Sequence, residues 1–97
     1  MIDVLVTYDI ATPDQAGHRR LQRVARVCEQ FGDRLQYSVF ECRVSEVSLE
    51  RLTVMLQAEI DPSHDSVHIY RFAGPLAQAR RSLGLAVKRE QGTPWIL

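Results

Sequence analysis

Ile2-Asp3-Val4-Leu5-Val6-Thr7-Tyr8-Asp9 is the stretch whose reading decides the fold. It is β-branched and apolar, and it has no turn residue until Asp9, so it reads as a strand over residues 2–9. Asp9 leaves a buried strand and carries its carboxylate past the strand end. Two uses fit that position: the carboxylate can cap a turn with its own backbone, or it can hold a hard cation or a polar substrate. The residues alone put the turn ahead.

The elements that follow have an order. Thr12-Pro13-Asp14-Gln15 predicts a helix start, with Thr12 as cap, Pro13 at the first helical position and Gln15 completing a capping box. Leu21, Val24, Cys28 and Phe31 recur at helical spacing, with Ala25 and Val27 beside them, and Gly32 is the stop signal. Residues 34–44 have strand composition, but the alternation changes phase. Leu35, Tyr37 and Val39 share one phase, whereas Phe40, Cys42 and Val44 share the other. A bend or tight turn near Ser38–Val39 explains the switch. Ser45 or Ser48 can cap a second helix whose stripe is Leu49, Leu52, Leu56 and Ile60, with Met55 beside it, and Asp61-Pro62 ends it. Residues 65–72 form a third strand region, Ala73-Gly74-Pro75 turns the chain, and residues 76–83 predict a short helix. Leu85-Ala86-Val87 and Pro94-Trp95-Ile96-Leu97 predict short strands around Gly92.

Strand, helix, strand pair, helix, strand and tail is the βαββαβ order of an α+β, ferredoxin-like fold. An extra C-terminal strand would lie in a tail spanning residues 76–97. Helices on one sheet face leave the other face in need of cover, and Trp95-Ile96-Leu97 is costly to leave in water. A second copy of the chain would cover both, so the expectation is a homodimer with a tail that packs on the partner.

With 97 residues, the chain is sized for one domain, residues 1–97. A composition 45% hydrophobic and 25% charged is that of an ordinary globular protein. No apolar run approaches the ~20 residues of a membrane span. Asp3 and Asp9 interrupt the only candidate leader, so a cytoplasmic location and no membrane partner are expected. Cys28 and Cys42 have neither redox-pair nor zinc-knuckle spacing, and they read as buried thiols. His18, His64 and His68 show no metal-motif spacing.

Formal net charge is zero, but its distribution is uneven. His18, Arg19, Arg20, Arg23, Arg26 and Arg34 face only Glu29 and Asp33, and a second basic group is Arg80, Arg81, Lys88 and Arg89. A solvated helix face is the ordinary meaning of the first group. No acid stands four residues before Arg19, Arg20, Arg23 or Arg26, and charges unpaired within the helix suit phosphate contacts. Arg20 and His18 lie nearest in sequence to the Asp9 loop. Arg34 starts a strand, Ser38 sits at the phase break, and Phe40 falls on a buried phase.

Tyr8-Asp9-Ile10 after an apolar strand, Arg19-Arg20-Leu21 on the first helix, and Arg34-Leu35-Gln36-Tyr37-Ser38-Val39-Phe40-Glu41-Cys42 together resemble the CRISPR-associated endonuclease two family. Asp65-Ser66-Val67-His68-Ile69-Tyr70 is similar to its later strand. The resemblance covers about residues 1–72, and its specificity lies in the combination and order of these pieces. It implies a ferredoxin-like homodimer whose C-terminal strand crosses to the partner. It implies a magnesium-dependent nuclease, with manganese as a substitute, acting on RNA or duplex DNA. It also implies association with a CRISPR integrase subunit during spacer insertion. Asp9 matches the family's metal aspartate, and Arg20, Arg34, Ser38 and Phe40 match positions near the dimer cleft. Arg19 and Arg23 join Arg20, Arg34 and Ser38 as the expected nucleic-acid contacts. His18 stands where an Arg is often found, and it carries only part of a charge at neutral pH. A catalytically silent DNA-binding bridge between integrase subunits is the alternative expectation, and a ferredoxin-like regulatory module is the remaining one.

Overall fold

The computed structural model describes residues 1–84. Its elements are β1 (Ile2–Asp9), α1 (Gln15–Glu29), β2 (Gly32–Gln36), β3 (Val39–Val44), α2 (Glu46–Glu59), β4 (Ser66–Arg71) and a short α3 (Leu76–Ala79). The strands form one antiparallel sheet in the order β2-β3-β1-β4. This is the α+β, ferredoxin-like arrangement expected from the sequence. The two expected strands in the tail lie outside the described residues. The helix expected over 76–83 stops at Ala79.

Alternation in β1 sets the two sides of the sheet. Val4, Val6 and Tyr8 are buried toward α1 and α2, with Ile10 closing that side. Phe40, Cys42 and Val44 of β3 join them, as do Val24 and Cys28 of α1 and Leu52 and Leu56 of α2. The opposite face carries Asp3, Leu5, Thr7 and Asp9 of β1. By register it also carries Val39, Glu41 and Arg43 of β3, and Ser66, His68 and Tyr70 of β4.

The phase break in the sequence is a hairpin. Tyr37 and Ser38 form a two-residue connection, and the register shifts between Arg34 and Gln36. No described non-glycine residue has positive φ, so the turn is not of the primed type that strand twist favours. The bulge at Leu35 supplies the extra local twist.

The start of α1 departs from the expectation. Asp14, not Thr12, is the N-cap, and its carboxylate accepts from the Gly17 amide at 2.9 Å. Thr12 and Pro13 belong to the loop before it. Gly17 explains the shift, because a Cβ there would lie 2.3 Å from the Ala11 carbonyl oxygen and 2.9 Å from Thr12 Cα. The loop packs directly on the helix backbone, so Thr12 is committed to that contact. Ser45 caps α2 as expected, accepting from the Ser48 amide.

One buried carboxylate ties the β1–α1 and α2–β4 connections together. Asp65 Oδ1 accepts from the Ala11 amide at 3.0 Å, and Oδ2 accepts from the Asp61 amide at 2.8 Å and from Arg20 Nε at 2.8 Å. The Arg20 guanidinium and these amides hold the Asp65 carboxyl at about 2, well below the ordinary range.

Two outcomes follow from this packing. Ala outranks Gly in a helix by ~1 kcal/mol, yet Gly17→Ala should lower the unfolding midpoint, because its Cβ meets backbone. Thermal unfolding by circular dichroism checks this. A depressed carboxyl pKa stabilises the fold above the unfolded value, about pH 4, and that stabilisation is lost as pH falls toward 2. The stability gap between the unsubstituted chain and Asp65→Asn should therefore be largest above about pH 4 and shrink below it, as urea unfolding across that range will measure.

Candidate metal and nucleic-acid site at the sheet end

The C-terminal end of β1, the β2–β3 hairpin tip and the start of β4 meet at one end of the sheet. Asp9 is the last residue of β1, directly opposite Ser66. Its side is the helix-free face of the sheet, and the residue is exposed. Among the described residues its carboxylate accepts no hydrogen bond and makes no salt bridge. The backbone capping that a turn reading requires is supplied instead by Asp14 and Asp65. Asp9 is thus left as an open oxygen donor.

Ser38 is placed next to it. Its carbonyl accepts from the Tyr8 amide at 3.1 Å, which joins the hairpin tip to the residue before Asp9. The Tyr8 hydroxyl donates to the Tyr37 carbonyl at 3.2 Å, a second tie to the same turn. Burial raises the Tyr8 phenol above its ordinary pKa, offset in part by Arg34, so it remains a neutral donor.

Arg34 lies opposite Phe40 on the helix side, its guanidinium carbon 5.0 Å from the ring centroid. Its Nε is buried without a hydrogen-bond partner, an arrangement that leaves one donor of the fork unused. Phe40 is fully buried and stacks at 6.2 Å on Tyr8. It is a core ring, as its alternation phase predicts, and it is closed to a nucleic-acid base.

The α1 arginines divide. Arg19 and Arg26 are exposed, and Arg26 sits in the last turn, where a cation suits the helix dipole. Arg20 turns inward to Asp65, with its side chain 17% exposed and that of Asp65 fully buried. Arg23 Nε donates to Glu59 at 2.8 Å. The expectation that these charges go unpaired holds within the helix and fails across the fold, because acids of α2 and the α2–β4 loop reach Arg20 and Arg23. His18 is exposed near the start of α1.

Asp65 is the residue that sequence reasoning passed over. The sequence reads Asp65 as the first residue of a strand over 65–72, whereas β4 begins at Ser66 and the partners of Asp65 stand 45 and 54 positions away. The only available signal was an unmatched acid in a chain whose α1 arginines lacked helical partners.

A magnesium ion is often held by one or two protein carboxylates, with water and phosphate oxygens completing its shell. Asp9 fits one such position. The described residues contain no group of three His, Cys, Asp or Glu that could hold a metal ion. The thiols do not contribute. Burial pushes Cys28 up to about 12 and Cys42 up to about 11, and both are free and buried. No described helix is long and apolar enough to cross a membrane.

Residues 1–77 match the family model described as CRISPR associated protein Cas2. The chain is 40% identical over 94 residues to the CRISPR-associated endoribonuclease Cas2 1 of Moorella thermoacetica, covering 97% of this chain and 98% of that one. It is 47% identical over 77 residues to the CRISPR-associated endoribonuclease Cas2 of Chlorobaculum tepidum, covering 79% of each. The fold superposes on the crystal structure of Streptococcus pyogenes Cas2 at pH 6.5 with a TM-score of 0.77 at 38% identity, covering 84% of this chain and 99% of that one. With the βαββαβ sheet and the strand-end aspartate in place, the chain belongs to the CRISPR associated protein Cas2 family.

Proposed function

We propose that the chain is a magnesium-dependent endonuclease that works as a cytoplasmic homodimer in CRISPR spacer acquisition, cleaving phosphodiester bonds in RNA or duplex DNA. The observation that carries this reading is the exposed Asp9 carboxylate, which has no described partner and faces the uncovered side of the sheet. The names of the relatives, endoribonuclease in Moorella and Chlorobaculum, support the reaction class.

Asp9 shares its face with Leu5, Thr7, Val39, His68 and Tyr70. Tyr70 is 53% exposed, a large ring to leave in water. A second copy laid on this face buries Tyr70 and brings a second Asp9 to the same cleft. Asp9 from each chain would hold magnesium. When bound, that ion polarises the phosphodiester and lowers the pKa of its water. Arg19 and Arg23 on α1, with Arg34 and Ser38 at the hairpin, are assigned to the phosphate backbone. An arginine fork suits that task by bidentate contact.

A second reading has its own support. A lone candidate metal carboxylate, Asp9, with no three-ligand cluster among the described residues, also suits a silent bridge that grips duplex DNA and spans CRISPR integrase subunits. Such gripping is sequence-independent and falls steeply with salt.

Cleavage of single-stranded RNA and duplex DNA, with magnesium, manganese or chelator, tests the first reading. Chelator should abolish cleavage. Asp9→Ala should lower it by more than about 100-fold, beyond the cost of losing an outer-shell partner. Metal-dependent cleavage that survives Asp9→Ala removes Asp9 from the role. No cleavage of any substrate, with salt-sensitive duplex binding retained in chelator, selects the bridge.

The dimer is tested separately. Tyr70→Arg should shift sedimentation toward the monomer and take cleavage with it. A substituted chain that stays dimeric and active would place the interface elsewhere.

A further inference from the structure

Asp9 ends a strand, and its carboxylate has no described partner to aim it. Its direction therefore depends on the backbone on either side. Before it, the Tyr8 amide is held by the Ser38 carbonyl. After it, Ile10 is buried at 7% exposure, and the Ala11 peptide is gripped at both ends. The Ala11 amide donates to Asp65 Oδ1 at 3.0 Å, and the Ala11 carbonyl accepts from Arg20 Nη2 at 3.3 Å. Arg20 Nε closes the ring by donating to Asp65 Oδ2 at 2.8 Å. Gly17 packs against the same carbonyl and blocks movement toward the helix.

The geometry points to Arg20 and Asp65 as positioning residues that clamp the Ala11 peptide and so fix the direction in which Asp9 presents its carboxylate. This inference rests on the reading of Asp9 as a metal carboxylate. It gives Arg20 a different role from the phosphate contact expected of it, because its Nε and Nη2 are already committed inside the fold. Magnesium requires near-octahedral geometry at about 2.0–2.1 Å and tolerates little ligand displacement, so a loose Ala11 peptide weakens the site without touching it.

The test uses Arg20→Met, which keeps most of the aliphatic stem and removes the fork, and Asp65→Asn, which keeps the shape and removes the charge. Arg20→Lys retains the charge and serves as the partial rescue. Three quantities are read in each: amide exchange at Ala11 relative to Val6, the manganese concentration at half-maximal cleavage, and duplex DNA affinity against salt. Arg20→Met should speed Ala11 exchange by about tenfold or more beyond any change at Val6. It should also raise the half-saturating manganese by about tenfold, the scale of a lost outer-shell contact, with duplex affinity and its salt slope unchanged. Asp65→Asn should move the same way, and Arg20→Lys should fall between.

A folded Arg20→Met chain with unchanged manganese requirement overturns the clamp. So does a loss of duplex affinity with a salt slope lower by about one and Ala11 protection intact, which returns Arg20 to the phosphates. If the unsubstituted chain shows no response to metal, the metal reading falls, and the Asp9 carboxyl carbon resonance decides the clamp. A line broadened or doubled by Arg20→Met supports it, and an unchanged line overturns it.

Discussion

The buried carboxylate of Asp65 is the constraint on which the sheet end depends. Three donors from three places converge on it: the Ala11 amide after β1, the Asp61 amide after α2, and the Arg20 side chain from α1. A buried charge is tolerated only when it is paired and its lone pairs are satisfied. Here that requirement fixes the relative positions of two loops and a helix. The exit of the chain beyond Asp9 is arranged around one oxygen pair.

Much of the fold was legible because it rests on local periodicity. The boundaries of β1 and the apolar stripe of α1 follow from alternation and helical spacing at Val4, Val6, Tyr8, Val24 and Cys28. The hairpin was legible as a phase break, although no glycine or proline marked it, because register is set by which side chains must be buried. The misses have a common cause. Thr12 has good capping chemistry, and it lost the role to Asp14 because the loop must approach Gly17 closely. Arg20 and Arg23 looked unpaired because their acids lie 45 and 36 residues away. Interactions that link distant segments leave no pattern in a window of sequence.

The candidate site was half legible. Asp9 is exposed at the strand end, where its position after an apolar run left two uses open and put turn capping ahead. Of the positions grouped with it, the hairpin carries Ser38 to the residue beside it, whereas Phe40 is a core ring with Arg34 packed over it and Arg20 turns inward to Asp65. What the sequence left unread is the separation of α1's arginines into an outward set and an inward set. Helical spacing places Arg19 and Arg20 only one residue apart, yet one faces solvent and the other a buried acid. The same fold makes both cysteines chemically quiet, because burial disfavours the thiolate.

The place of β1 has a further consequence. It is the first strand in the chain, yet it lies between β3 and β4, and β4 ends at Arg71. During synthesis at ~5–20 residues per second, the remaining ~60 residues take roughly 3–12 s to follow. For that interval an apolar, β-branched segment is without its second neighbour, a state open to pairing with other nascent chains. Asp3 and Asp9 stand near its two ends on a single edge-to-edge phase, and charges so placed act as gatekeepers. One of the two then anchors the α3 segment through the Leu76 amide, and the other becomes the open carboxylate of the mature domain.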